Sequence, residues 1–399
     1  MSAKQLRQGY TTGACAAAAT LGAALMLREQ RLVETVELPL PAGFSANFPL
    51  AGQRFALESA ACFVVKDAGD DPDVTHGAEV HAEVRCVSPS PQPSPTRGEG
   101  AKTFPPPLTG EGDQRIPPPL VGGGEGEGGP SVVVVGGVGI GRVTKPGLAV
   151  PVGEWAINPV PRRMILAAVA AAFPQLPTGH QLRVTISIPD GVERTKRTLN
   201  ERLGILGGLS ILGSSGVVRP ISHKAWTDTL EVALDVALAA AGSTVVLATG
   251  RSSERVAQQQ LALAEETFIM MGDHVGYAFE ACHRRGFARI VLAAQFAKLV
   301  KIACGHPQTH VHSSALDLQQ LACWGRRLGL DDVASKQIEC ANTAREVFHS
   351  HPDAALLIAE VARQALQQLE RRAPGAQLEI LLVDYAGGLA GHFVKGSGA

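Results

Sequence analysis

Aromatic residues are scarce in this 399-residue chain, at 5% of the total. That removes the stacking platform on which single-stranded nucleic acid is usually held. Charge of one sign is not in excess either: 36 Lys and Arg face 37 Asp and Glu, for a net charge of -1. With that balance there is no global attraction to a polyanion, so neither nucleic acid nor a membrane surface is an expected partner. The 7 cysteines are scattered without a CxxC pair, which argues against a zinc ribbon or a disulfide framework and fits a reducing cytosol. No apolar run approaches the ~20 residues of a membrane span. The opening MSAKQLRQGYTTGACAAAATLGAALMLREQ could pass for a signal peptide, but it is alanine-rich, interrupted by Gly22 and closed by Arg28-Glu29. A buried helix is the better reading. A soluble, cytoplasmic protein of two or three domains is expected.

What is present centres on ISIPDGVERTKRTLNERLGILGGLSILGSSGVVRPIS, from Ile186 to Ser222. Val184, Ile186 and Ile188 alternate with polar partners as in a strand, and Asp190-Gly191 turns the chain. Arg194, Lys196, Arg197, Arg202 and Arg219 bring positive charge. Gly204, Gly207, Gly208, Gly213 and Gly216 alternate with Ser210, Ser214 and Ser215. Glycines let backbone N–H groups approach a ligand, and serines add short donors, so cations beside them suit a polyanionic ligand. The alternative is a glycine-rich connection with a solvated basic face. A helical register over the segment would put Arg194 and Arg197 on one face and Lys196 to its side.

Thr11 or Thr12 is a good N-cap for a helix from Ala14 to Glu29, and Gly13 leaves its N-terminus open to an anion. Strands are expected at 33–40, 55–65, 78–87 and 131–135. KDAGDDPDVTHG crowds Asp67, Asp70, Asp71 and Asp73 together without the spacing of a calcium loop. It is either a solvated turn or a place where one aspartate holds a ligand hydroxyl or amine. Residues 89–130 are half Gly and Pro, 21 of 42, with PPPLTGEG followed by PPPLVGGGEG. Such a composition cannot offset its ordering entropy, so the segment reads as a disordered insertion at a hairpin tip. Gly137, Gly139 and Gly141 form GxGxG without a helix directly after, so this is not a dinucleotide fingerprint. Asn158 and Pro159 or Pro161 open a helix running to Phe173. Arg162 and Arg163 lie in its first turn, unfavourably for the helix dipole. They face an anionic ligand or partner, with a salt bridge to Glu154 as the plain alternative.

From about residue 223 strands and helices alternate: strands at 243–248, 267–271, 289–294 and 378–383, helices at 229–241, 274–285, 298–303, 314–328 and 354–370, and another from 254. That rhythm predicts a parallel α/β sheet with ligands at the carboxyl ends of its strands. There lie Thr249-Gly250-Arg251, Gly272-Asp273 and the turn from Asp384 to Gly388. His306, His310 and His312 in GHPQTHVH are candidate metal ligands, though Pro307 argues for a plain loop.

The motifs LRQGYTTGACAAAA, KDAGDDPDVTHGA, GGVGIGRVTKPGL, GEWAINPVPRRMI, the Ile186–Ser222 stretch and GDHVGYAFE…KLVKIACGH together resemble successive signatures of the CbiD family. The resemblance runs from Leu6 to about Gly391 outside 89–130, and departs from the family pattern at Asp273, Ala294, Gln295 and Ala297. It implies an α/β protein, an α+β domain over 1–222 and a Rossmann-like α/β domain over 223–399, unlike the other precorrin methyltransferases. The implied activity is S-adenosylmethionine-dependent methylation of C1 of cobalt-precorrin-5B, giving cobalt-precorrin-6A, in oxygen-independent cobalamin biosynthesis. Other readings are a non-catalytic tetrapyrrole carrier and a nicotinamide-dependent corrinoid reductase.

A precorrin carries acetate and propionate carboxylates around a flat apolar macrocycle. Holding it calls for separated cations and close backbone. Arg162, Arg163, Arg194, Lys196, Arg197, Arg202 and Arg219 are the expected contacts, with Gly207, Gly208, Ser214 and Ser215. Thr249, Gly250, Arg251, Gly272 and Asp273 are the expected cofactor contacts, because strand ends with glycine turns suit an adenosine. Methyl transfer to carbon is an in-line displacement that needs mainly alignment. No protein-bound metal or covalent nucleophile is called for, and cobalt arrives inside the substrate. No catalytic residue is assigned, with Asp70 and Asp190 as candidates. The partner is a small tetrapyrrole, and oligomeric state stays open, a homo-oligomer included.

Overall fold

The computed structural model describes residues 6–87, 131–175, 181–220, 223–311 and 313–396. The insertion at 89–130 and His312 lie outside them. Two compact units divide the chain: Met1–Thr144, Ala149–Glu201 and Ile205–Pro220 form the first, and Lys145–Leu148, Arg202–Gly204 and Ile221–Ala399 the second. The division falls close to residue 222, with two short pieces of the N-terminal half grouped with the second unit. Arg202 is in one of them.

In the first unit, β1 (Gly9–Tyr10) leads into α1 (Thr12–Glu29), and β2 (Thr35–Pro39) and β3 (Ser45–Pro49) form a hairpin. Then come β4 (Ala51–Phe55), β5 (Ser59–Val65), β6 (Glu79–Val87), β7 (Ser131–Gly136), β8 (Arg142–Val143), α2 (Pro159–Ala172), β9 (Gln181–Ser187), α3 (Gly191–Thr195), β10 (Ile205–Leu206) and β11 (Val217–Val218). The main sheet has the order β4-β5-β6-β9-β7. Only the β7–β9 pair is parallel within it.

Helix α1 is buried on nearly every side, with Ala14 through Ala19 at 0–1% exposure. A helix apolar all round must be covered all round, and α1 packs on both α2 and the sheet strands β5 and β6. Thr11 caps it, accepting from the Ala14 N–H at 3.2 Å. Its N-terminus is not open as expected: the Gly13 N–H is spent on the Leu212 carbonyl at 3.0 Å.

Three further expectations fail. Residues 55–65 are not one strand but part of a hairpin, turning at 56–58 between β4 and β5. The 89–130 segment does not sit on a hairpin tip either. Val87, closing β6, and Ser131, opening β7, both face Gln181 of β9, so the connection steps over one strand. Finally, the helical register over 192–203 stops at Thr195. Beyond it the N–H groups of Arg197 and Thr198 bond to the carbonyls of Arg194 and Thr195, three residues back, in tight turns.

The second unit holds α4 (His223–Ala241), β12 (Thr244–Ala248), α5 (Arg251–Gln260), β13 (Phe268–Met270), α6 (Val275–Arg284), β14 (Arg289–Gln295) and α7 (Phe296–Ala303). Next come α8 (Leu318–Arg327), α9 (Asp332–Cys340), α10 (Ala344–Ser350), α11 (Ala354–Arg372), β15 (Gln377–Val383) and β16 (Leu389–Val394). The sheet order is β13-β12-β14-β15-β16, parallel except for β16. Val245–Ala248 and Ile290–Ala294 are fully buried, as parallel strands covered on both faces must be. One face packs under residues of α4, α6, α7 and α11, the other under α5. The chain leaves β12 for β13 on one side and returns to β14 on the other, which is a topological switch point. The fold is thus α/β, an α+β unit and a Rossmann-like unit.

Candidate functional site

The loop joining β5 to β6 carries the first unit's main polar feature. Ala60, Cys62 and Val64 point inward from β5, and period two places Lys66 inward next. Its side chain is 1% exposed, and its ammonium lies 2.6 Å from Asp73 Oδ2. Asp73 Oδ1 accepts from the Thr75 N–H at 2.7 Å and from the Thr75 hydroxyl at 2.6 Å. Burial pushes the Asp73 carboxyl up, but the Lys66 ammonium and Thr75 outweigh it and hold the group below its ordinary value. Of the other aspartates, Asp67 pairs with Arg7, and Asp70 accepts the Arg7 backbone N–H at 2.7 Å. The loop thus clasps the start of the chain and neutralises its own lysine.

Lys66 and Asp73 line a cavity of about 240 Å³. Thr11 and Thr12 enter it from α1, Arg197 and Asn200 from the turns after α3, and Ser210 and Leu212 from the glycine-rich return. Thr11, Thr12, Lys66, Asn200 and Ser210 are all buried, at 8% exposure or less. Polar side chains are rarely buried without a reason, and here they converge on one space.

The basic cluster does not stay together. Arg194 is anchored by Asp190 at 2.7 Å and by the carbonyls of Val74 and His76 at 2.6 and 3.0 Å, where it pins the loop. Lys196 pairs with Glu193 at 2.5 Å on an exposed surface. Arg202 lies in the second unit, bonded to Glu254 at 2.6 Å and to the Phe268 carbonyl. Arg162 sits 3.6 Å from Glu154. Arg163, Arg197 and Arg219 are exposed and have no polar side-chain partner among the described residues. Of the cluster, Arg197 alone lines the cavity.

The glycines also act differently from the expectation. A Cβ on Gly208 would lie 2.3 Å from the Gly139 carbonyl, and one on Gly191 would lie 2.2 Å from the same oxygen. These glycines let three loop segments stack backbone on backbone rather than opening space for a ligand. Gly207, at φ +83°, faces open space. Ser214 is exposed, and the Ser215 hydroxyl closes a turn on Val217 at 3.1 Å. Neither Asp70 nor Asp190 lines the cavity.

In the second unit, the switch point lies beside Thr249. Its N–H reaches the Ala293 carbonyl at 3.1 Å, and Lys298 donates to the Thr249 carbonyl at 2.8 Å. The same ammonium is 3.1 Å from Asp273 Oδ1, which also accepts from the Thr309 hydroxyl at 2.6 Å. Burial pushes Asp273 up, while Thr309 and Lys298 draw it below its ordinary value. Gly272 has φ +63°, and Arg251 is exposed at the start of α5. Lys298 thus ties together two strand ends that the sequence names separately. His306 and His310 belong to no group of three metal-binding side chains among the described residues. No helix among them is long and apolar enough to cross a membrane.

Sequence reasoning missed Lys66, Asn200 and Lys298, and read Thr12 only as a helix cap, while Ser210 was among the short donors it named. The signal for Lys66 was present, since a charged residue continues the inward side of β5. Asn200 offers none, because its position depends on turns that follow α3.

The CbiD family profile matches residues 1–104 and 123–220, and the profile of the CbiD C-terminal domain matches 308–392. A cobalt-precorrin-5B C(1)-methyltransferase of Geobacter sp. (strain M21) is 50% identical over 98% of this chain and 99% of its own. The Geobacter sulfurreducens protein of the same name is 51% identical over 96% and 98%. That of Priestia megaterium is 38% identical over 86% and 83%. A crystal structure of the cobalamin biosynthesis protein CbiD from Archaeoglobus fulgidus shares 24% identity over 74% of this chain and 79% of its own, at a TM-score of 0.36.

Proposed function

Because this chain belongs to the CbiD family, we propose that it methylates C1 of cobalt-precorrin-5B in cobalamin biosynthesis, with S-adenosylmethionine as donor and cobalt-precorrin-6A as product. The observation that carries this reading is half-identity, along nearly the whole chain, to proteins named for that reaction. Bound S-adenosylmethionine supplies an electrophilic methyl group on a sulfonium. As the C1–methyl bond forms, the sulfur–methyl bond breaks and the sulfonium charge disappears. The protein's task is therefore alignment, with no need for an anion against the sulfur.

The β12 and β13 strand ends suit an adenosyl group. Thr249 is buried at the switch point, and Gly272 turns the chain after the neighbouring β13. Asp273 Oδ2 accepts no hydrogen bond among the described residues and is left to accept one from a ribose hydroxyl. The macrocycle's carboxylates fall to those cations of the expected set that have no polar side-chain partner among the described residues: Arg163, Arg197 and Arg219. Calorimetric titration separates this function from its alternatives. The methyltransferase binds S-adenosylmethionine and not NADPH; a tetrapyrrole carrier binds neither, and a reductase only NADPH.

A further inference from the structure

We propose that the cavity of the first unit is a carboxylate subsite for the macrocyclic substrate, with Lys66 inside it and Arg197 at its exposed edge. The substrate's identity rests on the methyltransferase reading; the chemistry of the cavity does not. An ammonium has three N–H donors, and Lys66 uses one of them on Asp73, its sole acceptor among the described residues. A side chain 1% exposed thus keeps two donors without a protein acceptor, beside open space. Buried donors of that kind are costly unless something accepts from them. At about 240 Å³ the space is far larger than the roughly 10–15 Å³ a single water needs on the same measure.

The rest of the lining makes the same demand. Arg197 offers a whole guanidinium, and the Ser210 hydroxyl has no partner among the described residues. Only one lining side chain is acidic, Asp73, and both its oxygens are occupied by Lys66 and Thr75. Lys66 and Arg197 against Asp73 leave one net positive charge. An acceptor-only anion is the matching ligand, and a carboxylate fits both the point charge of Lys66 and the fork of Arg197. Both reactants carry carboxylates. That of S-adenosylmethionine comes with an adjacent ammonium, for which the cavity has no unoccupied acid and which Lys66 would repel. A peripheral carboxylate of the macrocycle carries no such group.

The test is an absorbance titration of the full chain with a cobalt corrinoid whose peripheral carboxylates are free, and with the same corrinoid fully amidated. S-adenosylhomocysteine binding is followed in parallel by calorimetry. Wild type is expected to favour the free acid. Arg197→Ala should weaken the free acid about tenfold to a hundredfold, with little effect on the amide or on S-adenosylhomocysteine. Lys66→Met alone strands a buried Asp73, so the double variant Lys66→Met/Asp73→Asn is paired with it and checked for folding by circular dichroism. It should show the same selective loss, while Lys224→Ala, an exposed residue paired with Asp228, should match wild type. Unchanged free-acid binding in both Arg197→Ala and the double variant would overturn the subsite. So would a loss confined to S-adenosylhomocysteine, which would assign the cavity to the cofactor's carboxylate. Selective free-acid binding without methyl transfer would instead sink the methyltransferase reading and leave the subsite standing.

Discussion

At residue 66, a charge continues a line of buried apolar side chains, and its partner Asp73 lies 7 positions on in the same loop. Their pairing has a pH signature. The Asp73 carboxyl is held below its ordinary value, so its contribution is fully present above the unfolded value near 4. It is lost as pH falls through the lower, folded value. Acid unfolding of the wild type should therefore begin below about pH 4, and Lys66→Met/Asp73→Asn should flatten that limb of the curve. Denaturant midpoints measured across this range check it. An identical acid limb in both proteins would mean the pair is energetically silent. The basic cluster teaches the opposite lesson about legibility. Arg194, Lys196, Arg197 and Arg202 are close in sequence, yet only Arg197 ends at the cavity. Arg194 is claimed by carbonyls 118 and 120 residues away, which no local pattern reveals.

At the scale of elements, helices and parallel strands were readable because their periodicity is sustained. Helix α1 advertised its burial through small apolar side chains on all sides, and β12 and β14 through continuous apolar runs. The turns after α3 were not readable, because cations and polar residues at helical spacing do not say where a helix ends. The glycines were visible but misassigned, since a sequence does not show whether backbone or ligand fills the space. Two substitutions separate those roles. Gly208→Ala drives a Cβ into the Gly139 backbone and should cost about 3 kcal/mol of stability. Gly207→Ala meets only its own positive φ and should cost about 1 kcal/mol. Thermal melts of the two variants give the order directly, and equal melting temperatures would refute the backbone stack.

For the whole molecule, the alternation of strands and helices made the second unit's class legible, while the exchange of short segments between the units was not. Residues 89–130 remain a sequence-based expectation, since they lie outside the described residues. Their flanks are fixed: Val87 and Ser131 stand on either side of Gln181, about 10 Å apart at two strand spacings. A flexible Gly-Ser linker of about six residues reaches that far. Replacing 89–130 with it should leave both melting temperature and methyl transfer essentially unchanged, and a clear fall in both would show that the segment is structural.

The most direct test of the account is turnover of the full chain with cobalt-precorrin-5B and S-adenosylmethionine labelled with carbon-13 in its methyl group. The expected product carries one labelled methyl on C1, located by nuclear magnetic resonance, with S-adenosylhomocysteine formed in equal amount. A folded protein that binds both reactants and returns the macrocycle unlabelled, or labelled at another carbon, would contradict it.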